Sequence, residues 1–99
     1  MAYGYFASMR TRPGRRAEVV AILLEGVDGL RAAGCSLYAV GASETDPDLI
    51  LVSEIWESKG HHDRSLHLPE TKAAIARAMP LLTGEFTNQE MTVLGGLGV

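Results

Sequence analysis

The chain contains little cysteine and no long apolar run. Its single cysteine, Cys35, excludes an internal disulfide and any cysteine-rich metal site, and we interpret it as a small packed side chain. No segment approaches the roughly 18 consecutive apolar residues of a membrane span, and residues 1–5 lack the basic start and apolar run of a secretion signal. The sequence therefore predicts a cytoplasmic protein with no membrane partner.

Positive charge is also scarce. The formal net charge is −3, whereas nucleic-acid binding depends on clustered lysine and arginine that displace counterions from phosphate. The one basic cluster comprises Arg10, Arg12, Arg15 and Arg16 at a predicted strand-to-helix turn, and we interpret it as solvated charge rather than as an anion site. The composition therefore predicts no nucleic-acid partner.

The sequence does contain enough apolar material for one small core. Hydrophobic residues make up 46% and charged residues 21% of the 99 positions, which is typical of a folded globular protein. A chain of this length has no room for two separate cores. We therefore predict a single domain over residues 1–99.

The clearest strand signal is residues 48–58, a β-branched and aromatic stretch that contains the only tryptophan. Alternate side chains of a strand point to opposite faces, and here both sets are largely apolar. Both faces of the sheet are therefore expected to be covered, one by the chain's own helices and the other by a second copy of the chain. The alternation leaves open which cover meets the face that carries Trp56.

The remaining pattern predicts the order strand, helix, strand, strand, helix, strand. The predicted elements are strand 2–10, helix 15–33, strands 35–43 and 48–58, helical pieces 59–66 and 69–79, and strand 85–94. Gly34 is expected to end the first helix, and Ser58 to cap the second. This order is the ferredoxin-like βαββαβ arrangement, an α+β fold with both helices on one face of an antiparallel sheet. Two such sheets packed face to face form a dimeric α+β barrel.

Three histidines follow the Trp56 strand, and their spacing does not suit a metal ion. His61 and His62 are adjacent, while His62 and His67 are about 140° apart around a helix, so no pair faces one ion. The chain also lacks a Gly-rich phosphate loop and a nucleophile elbow. The spacing of the histidines therefore predicts no metal site.

Residues 53–59 (Ser-Glu-Ile-Trp-Glu-Ser-Lys), 34–38 (Gly-Cys-Ser-Leu-Tyr) and 12–15 (Arg-Pro-Gly-Arg) together resemble the antibiotic biosynthesis monooxygenase (ABM) domain superfamily, including its quinol monooxygenases. The resemblance implies a homodimer that oxidises a small electron-rich aromatic, such as a quinol or anthrone, with O₂ and without flavin, haem or metal. An enolate or phenolate can surrender one electron to triplet O₂. The protein need then only bind the substrate, deprotonate it and exclude water.

The resemblance also implies which residues contact the substrate. The site should be an apolar pocket with few polar groups. Trp56 would form a flat wall, Tyr3 and Tyr5 would come from the first strand, and Glu54, next to the tryptophan on the same face, would also contact the substrate. The alternatives are that Trp56 belongs to the core, that the tyrosines only pack, and that Glu54 makes a structural hydrogen bond rather than acting as a base.

The histidines are the candidate bases. His62 stands six residues after Trp56, where anthrone-oxidising relatives carry a polar aromatic residue, and a neutral imidazole there could accept a proton near neutral pH. His67, near the predicted helix break, is the alternative base. Many family members have a histidine nine residues after the tryptophan, and this chain has Ser65 there.

Other functions of the same barrel are alternatives. Haem-degrading relatives use an asparagine, a tryptophan and a histidine at places that here hold Ala7, Ser65 and Ile75, which disfavours haem ligation. A non-catalytic ligand-binding or stress-responsive dimer would keep the barrel without the chemistry. A muconolactone-type isomerase would turn over its substrate without O₂.

Overall fold

The computed structural model describes residues 1–99 and contains four strands, four α-helices and one short 3-10 helix. In chain order these are β1 (Tyr3–Thr11), α1 (Arg16–Leu24), α2 (Asp28–Ala32), β2 (Cys35–Ala42), β3 (Leu49–Trp56), α3 (Lys59–Ser65), α4 (Pro69–Ala78), the 3-10 turn (Met79–Leu81) and β4 (Leu82–Thr92). None of the helices combines the length and hydropathy that crossing a bilayer requires.

The four strands form one antiparallel sheet in the order β2-β3-β1-β4. The first strand lies inside the sheet, because Tyr3 is opposite Trp56 of β3 on one side and opposite Thr92 of β4 on the other. This topology confirms the predicted ferredoxin-like α+β fold.

The face of the sheet that carries Trp56 packs against the helices. The main core cluster joins β3 and β4 to α1 and α4, and its members are Val19, Ile50, Val52, Ala78 and Leu82. A second cluster consists of Tyr3, Cys35 and Trp56, of which the tryptophan is only 1% exposed. Burial of these large apolar side chains is the main stabilising term of the fold. The helices therefore cover the face that carries Trp56, which the alternation in the sequence had left open.

The opposite face, here called the outer face, is formed by Phe6, Leu37, Leu51, Ile55 and Met91. Leu37, Leu51 and Met91 are 41%, 46% and 45% exposed, so nothing in the single chain covers them. The five side chains come from all four strands, and the exposed ones form an apolar surface of the kind that marks an interaction site.

The predicted continuous helix 15–33 is wrong, because the structure divides it into α1 and α2. Glu25 is extended and Gly26 has a φ of 68°, a left-handed conformation that glycine adopts without steric cost. The apolar spacing continues across the break because both helices pack on the same sheet face. Gly34 has a φ of 103° and ends α2, as predicted.

The last strand begins earlier than the predicted range 85–94. A register shift in the β1–β4 ladder lets Leu82 pair with Thr11, which adds residues before the bend at Gly84 to the strand. The start of β4 is therefore set by its pairing with β1 and not by the alternation of side chains within β4.

Two of the arginines that the sequence analysis assigned to solvated charge are bound within the chain. Arg10 lies 2.7 Å from Asp46 and 2.9 Å from Glu85. Arg16 donates to the carbonyl oxygens of Ser43 and Asp46 at 3.1 and 2.7 Å. These guanidinium groups hold β1 and α1 against the β2–β3 loop, and they offer no free cluster to an anion.

Candidate active site

A cavity of about 430 Å³ lies between the helix-facing side of the sheet and the helices. Its wall is mostly apolar and includes Met9, Ile22, Leu23, Val52, Ile75 and Phe86. Gly26 and Gly29, from the region of the break between α1 and α2, also line it. Its size is within the usual range for a small-molecule site.

The polar end of the cavity is built around His62. Ser58 caps α3 by accepting the backbone N–H of His61 at 3.2 Å, so the helix starts directly after β3. This start turns His62 back over the sheet, where it is 6% exposed. Its ring centroid lies 4.5 Å from that of Tyr5 and 5.8 Å from that of Trp56, the latter in an edge-on arrangement.

Glu54 lines the same end of the cavity. Trp56 Nε1 donates to Glu54 Oε1 at 2.9 Å, so the carboxyl makes a hydrogen bond within the chain, and its contact with a substrate stays a prediction. Burial raises the pKa of Glu54, while the tryptophan hydrogen bond and the nearby His62 act in the opposite direction. The site therefore contains a carboxyl group that is easier to protonate than a solvated one.

Two phenols complete this end of the site. Tyr38 of β2 lies opposite Glu54 in the sheet register, and burial raises the pKa of Tyr38 to about 12. Burial, followed by the charge of Glu54, also raises the pKa of Tyr5. Both phenols therefore keep their protons at neutral pH, and each can donate a hydrogen bond to an oxygen atom in the cavity.

The raised pKa of Glu54 predicts a pH-dependent stability difference between the wild type and Glu54→Gln. The folded state holds the proton more tightly than the unfolded state, so this group's contribution falls as pH rises from about 4.3 through the raised value. In urea denaturation, the free energy of unfolding of the wild type relative to Glu54→Gln is expected to be lower at pH 7 than at pH 4. A difference of the opposite sign would show that the folded protein lowers this pKa.

The structure brings four of the predicted site residues together. Trp56, Tyr5, Glu54 and His62 all line the cavity. The roles assigned to them stay predictions. Their common location follows from the sheet register, since Tyr5 lies opposite Glu54, and from the short connection between β3 and α3.

The other two predicted site residues lie outside the cavity. The ring of Tyr3 packs against His62, with 5.5 Å between centroids, but its hydroxyl donates to Glu90 at 2.6 Å. His67 follows the end of α3, and its side chain is exposed. Neither side chain reaches the cavity wall.

The sequence analysis did not identify several residues that line the site. Tyr38 and Asn88 are the main polar examples, and both come from the helix-facing side of the sheet. The alternation of side chains along β2 would place Tyr38 on the helix-facing side of the sheet, but only once the register with β3 is known. No group of three or more His, Cys, Asp or Glu side chains is arranged to hold a metal ion.

The profile of the family described as "Antibiotic biosynthesis monooxygenase" (ABM) matches residues 3–77. A crystal structure of a candidate antibiotic biosynthesis monooxygenase from Chloroflexus aurantiacus J-10-fl is 38% identical with a TM-score of 0.86, and the match covers 97% of this chain and 96% of that one. A comparison with curated proteins found no match.

More distant structures share the fold. A candidate antibiotic biosynthesis monooxygenase from Caulobacter crescentus CB15 is 22% identical with a TM-score of 0.86 over 95% of this chain and 91% of that one. Rv0793 from Mycobacterium tuberculosis is 21% identical with a TM-score of 0.83, over 98% and 99% of the two chains. Because the family profile covers most of the sequence and the Chloroflexus protein matches nearly all of it, the chain belongs to the antibiotic biosynthesis monooxygenase family.

Proposed function

We propose that the protein is a cofactor-independent monooxygenase that oxidises a quinol, an anthrone or a similar electron-rich aromatic with O₂. The observation that carries the proposal is a buried imidazole, His62, among aromatic rings at the polar end of an apolar cavity. A base in such a place can deprotonate an acidic aromatic substrate where little water competes for the proton. Membership of the ABM family supports the same reaction class.

The shape and chemistry of the cavity support a fused-ring substrate. The volume of about 430 Å³ and the apolar wall suit a flat hydrophobic molecule. At the polar end, the protonated phenols of Tyr5 and Tyr38 can donate to a substrate oxygen and stabilise the negative charge that follows deprotonation. The ring of Trp56 limits the space on one side of His62.

The proposed reaction balances without a further reductant. For an anthrone, His62 takes a proton from the acidic CH₂ group, and the resulting enolate gives one electron to O₂. The carbon radical and superoxide combine into a peroxide, which takes up the proton. Loss of water then converts the CH₂ carbon to a carbonyl, so one oxygen atom enters the product and the other leaves as water.

Oxygen uptake tests the proposed function. Purified protein is incubated with dithranol as an anthrone probe or with menadiol as a naphthoquinol probe, and O₂ consumption is compared with that of the probe alone. Acceleration with either probe is the expected result, and with dithranol one atom of ¹⁸O from ¹⁸O₂ is expected at the new carbonyl group of the product. Probe binding without faster O₂ uptake would instead support the non-catalytic ligand-binding alternative.

We also propose that the protein works as a homodimer whose outer faces pack against each other. The exposed leucine and methionine side chains of this face lie on three different strands. Packing two such sheets together removes this apolar area from water. The two cavities lie on the helix sides of the sheets, so dimerisation leaves both accessible.

Leu51→Asp tests the dimer. Leu51 is 46% exposed at the centre of the outer face, and a charge there would be buried without a partner in the proposed dimer. Sedimentation at low micromolar concentration is expected to show a dimer for the wild type and a monomer for Leu51→Asp. Leu24→Asp is the matched control, because Leu24 is 47% exposed on a helix. A monomeric wild type, or a dimeric Leu51→Asp, would contradict the proposal.

A further inference from the structure

Packing fixes the plane of the His62 ring. Tyr5 lies against it at 4.5 Å between centroids, Tyr3 at 5.5 Å and Trp56 at 5.8 Å. Aromatic packing orients a ring, but it does not determine which of the two nitrogens carries the hydrogen. That choice depends on the hydrogen bond that the outward-facing nitrogen makes.

The next residue in the helix supplies that hydrogen bond. His62 Nδ1 lies 3.0 Å from Asp63 Oδ1, and the other carboxylate oxygen of Asp63 lies 3.7 Å from Lys59 Nζ. The hydrogen bond from His62, and then the charge of Lys59, hold the pKa of Asp63 below its usual range. An ionised carboxylate only accepts hydrogen bonds, so Nδ1 must be the donor.

The second nitrogen of the ring, Nε2, has no hydrogen-bond partner in the chain. No buried side-chain nitrogen or oxygen of the protein lacks such a partner. Nε2 must therefore lie on an accessible surface, and the accessible space beside His62 is the cavity that it lines. A neutral imidazole with its hydrogen on Nδ1 presents a lone pair at Nε2.

We infer that Asp63 is a positioning residue that fixes the tautomer of His62, so that Nε2 in the cavity is the atom that accepts the substrate proton. The kinetic part of this inference rests on the proposed function. When the substrate proton moves to Nε2, the ring becomes a cation, and the ionised Asp63 beside Nδ1 stabilises it. No proton moves to Asp63 in this step. Lys59 holds the carboxylate in place from its other side.

Asp63→Ala tests the inference with two readouts. The first is the His62 tautomer in ¹⁵N-labelled protein, which is expected to be Nδ1–H in the wild type and to shift towards Nε2–H in the variant. The second is dithranol oxidation, in which kcat is expected to fall about 10- to 100-fold with KM unchanged, the size of the effect when a metal-bound histidine loses its orienting partner. Asp63→Asn keeps an oxygen that can accept from Nδ1, so it is expected to restore the wild-type tautomer and part of kcat.

Glu57→Gln is the matched control. Glu57, in the connection before α3, lies 3.3 Å from His61, and neither residue lines the cavity. It is expected to change neither readout. An Nε2–H tautomer in the wild type, or a wild-type tautomer and kcat in Asp63→Ala, would overturn the inference. A wild type that does not accelerate O₂ uptake would contradict the proposed function instead, and the tautomer measurement would still decide the role of Asp63.

Discussion

Replacement of His62 by glutamine is expected to lower kcat/KM for O₂-dependent oxidation of dithranol by about 10²- to 10⁴-fold, the range that a general base contributes. His62 is the only imidazole that lines the cavity, and a glutamine amide cannot take up a proton near neutral pH. Of the other groups at this end, Tyr5 and Tyr38 keep their protons at neutral pH, and the Glu54 carboxyl accepts the hydrogen bond of Trp56. Steady-state O₂ uptake measures the effect.

The neighbouring histidines allow this prediction to be tested against close controls. His61→Gln makes the same change one residue away, at a side chain outside the cavity, and is expected to retain wild-type activity. His67→Gln separates the two candidate bases from the sequence analysis. If His67→Gln loses activity and His62→Gln does not, the base assigned here is wrong. Circular dichroism of each variant shows whether the fold is intact.

Trp56→Ala is expected to lower the free energy of unfolding by about 3 to 5 kcal/mol, as for loss of a large fully buried aromatic side chain. The indole is 1% exposed between Tyr3 and Cys35. Its removal leaves a void and also deprives the half-buried Glu54 of its hydrogen-bond donor. For a domain of this size such a loss is a large share of the total stability. Urea denaturation monitored by far-ultraviolet circular dichroism measures the change.

Two variants give this stability prediction its controls. Trp56→Phe keeps most of the ring volume and removes the Nε1–H donor, so it is expected to cost less than Trp56→Ala. Leu24→Ala removes a side chain that is 47% exposed and is expected to change the stability by no more than about 0.5 kcal/mol. If Trp56→Ala matched Leu24→Ala, the indole would not be a principal part of the core.

The sheet was largely predictable from the sequence because its strands carry strong local signals. The β-branched run before Trp56 predicted β3, and the structure places this strand at Leu49–Trp56. Ser58 has the expected capping role at α3. Such signals depend only on neighbours within a few residues, and a pattern of strands and helices in this order has few alternative arrangements.

The break between α1 and α2 was not predictable from the same kind of pattern. Glycine within a helix is tolerated at a cost of roughly 1 kcal/mol, and Gly26 and Gly29 both lie within the apolar repeat. Only Gly26 takes the left-handed conformation. The choice depends on how the two helices meet the sheet, which is a tertiary effect.

Part of the candidate site was predictable and part was not. Trp56 and His62 are only six residues apart in the sequence, so they were predicted to share a site, and both line the cavity in the structure. The different locations of His62 and His67 follow from where α3 ends, since His67 lies beyond its last residue and is exposed. Tyr38 required the β2–β3 register, which no local pattern specifies.

The interior position of β1 has a consequence for synthesis on the ribosome. Residues 3–11 are made before their two neighbours in the sheet, β3 and β4, which end at residues 56 and 92. At typical translation rates, the first strand waits about 4 to 16 s for its last partner. During that time the nascent segment is open to chaperones and to wrong pairings, so synonymous codons that slow translation after β3 would be expected to reduce the yield of folded protein.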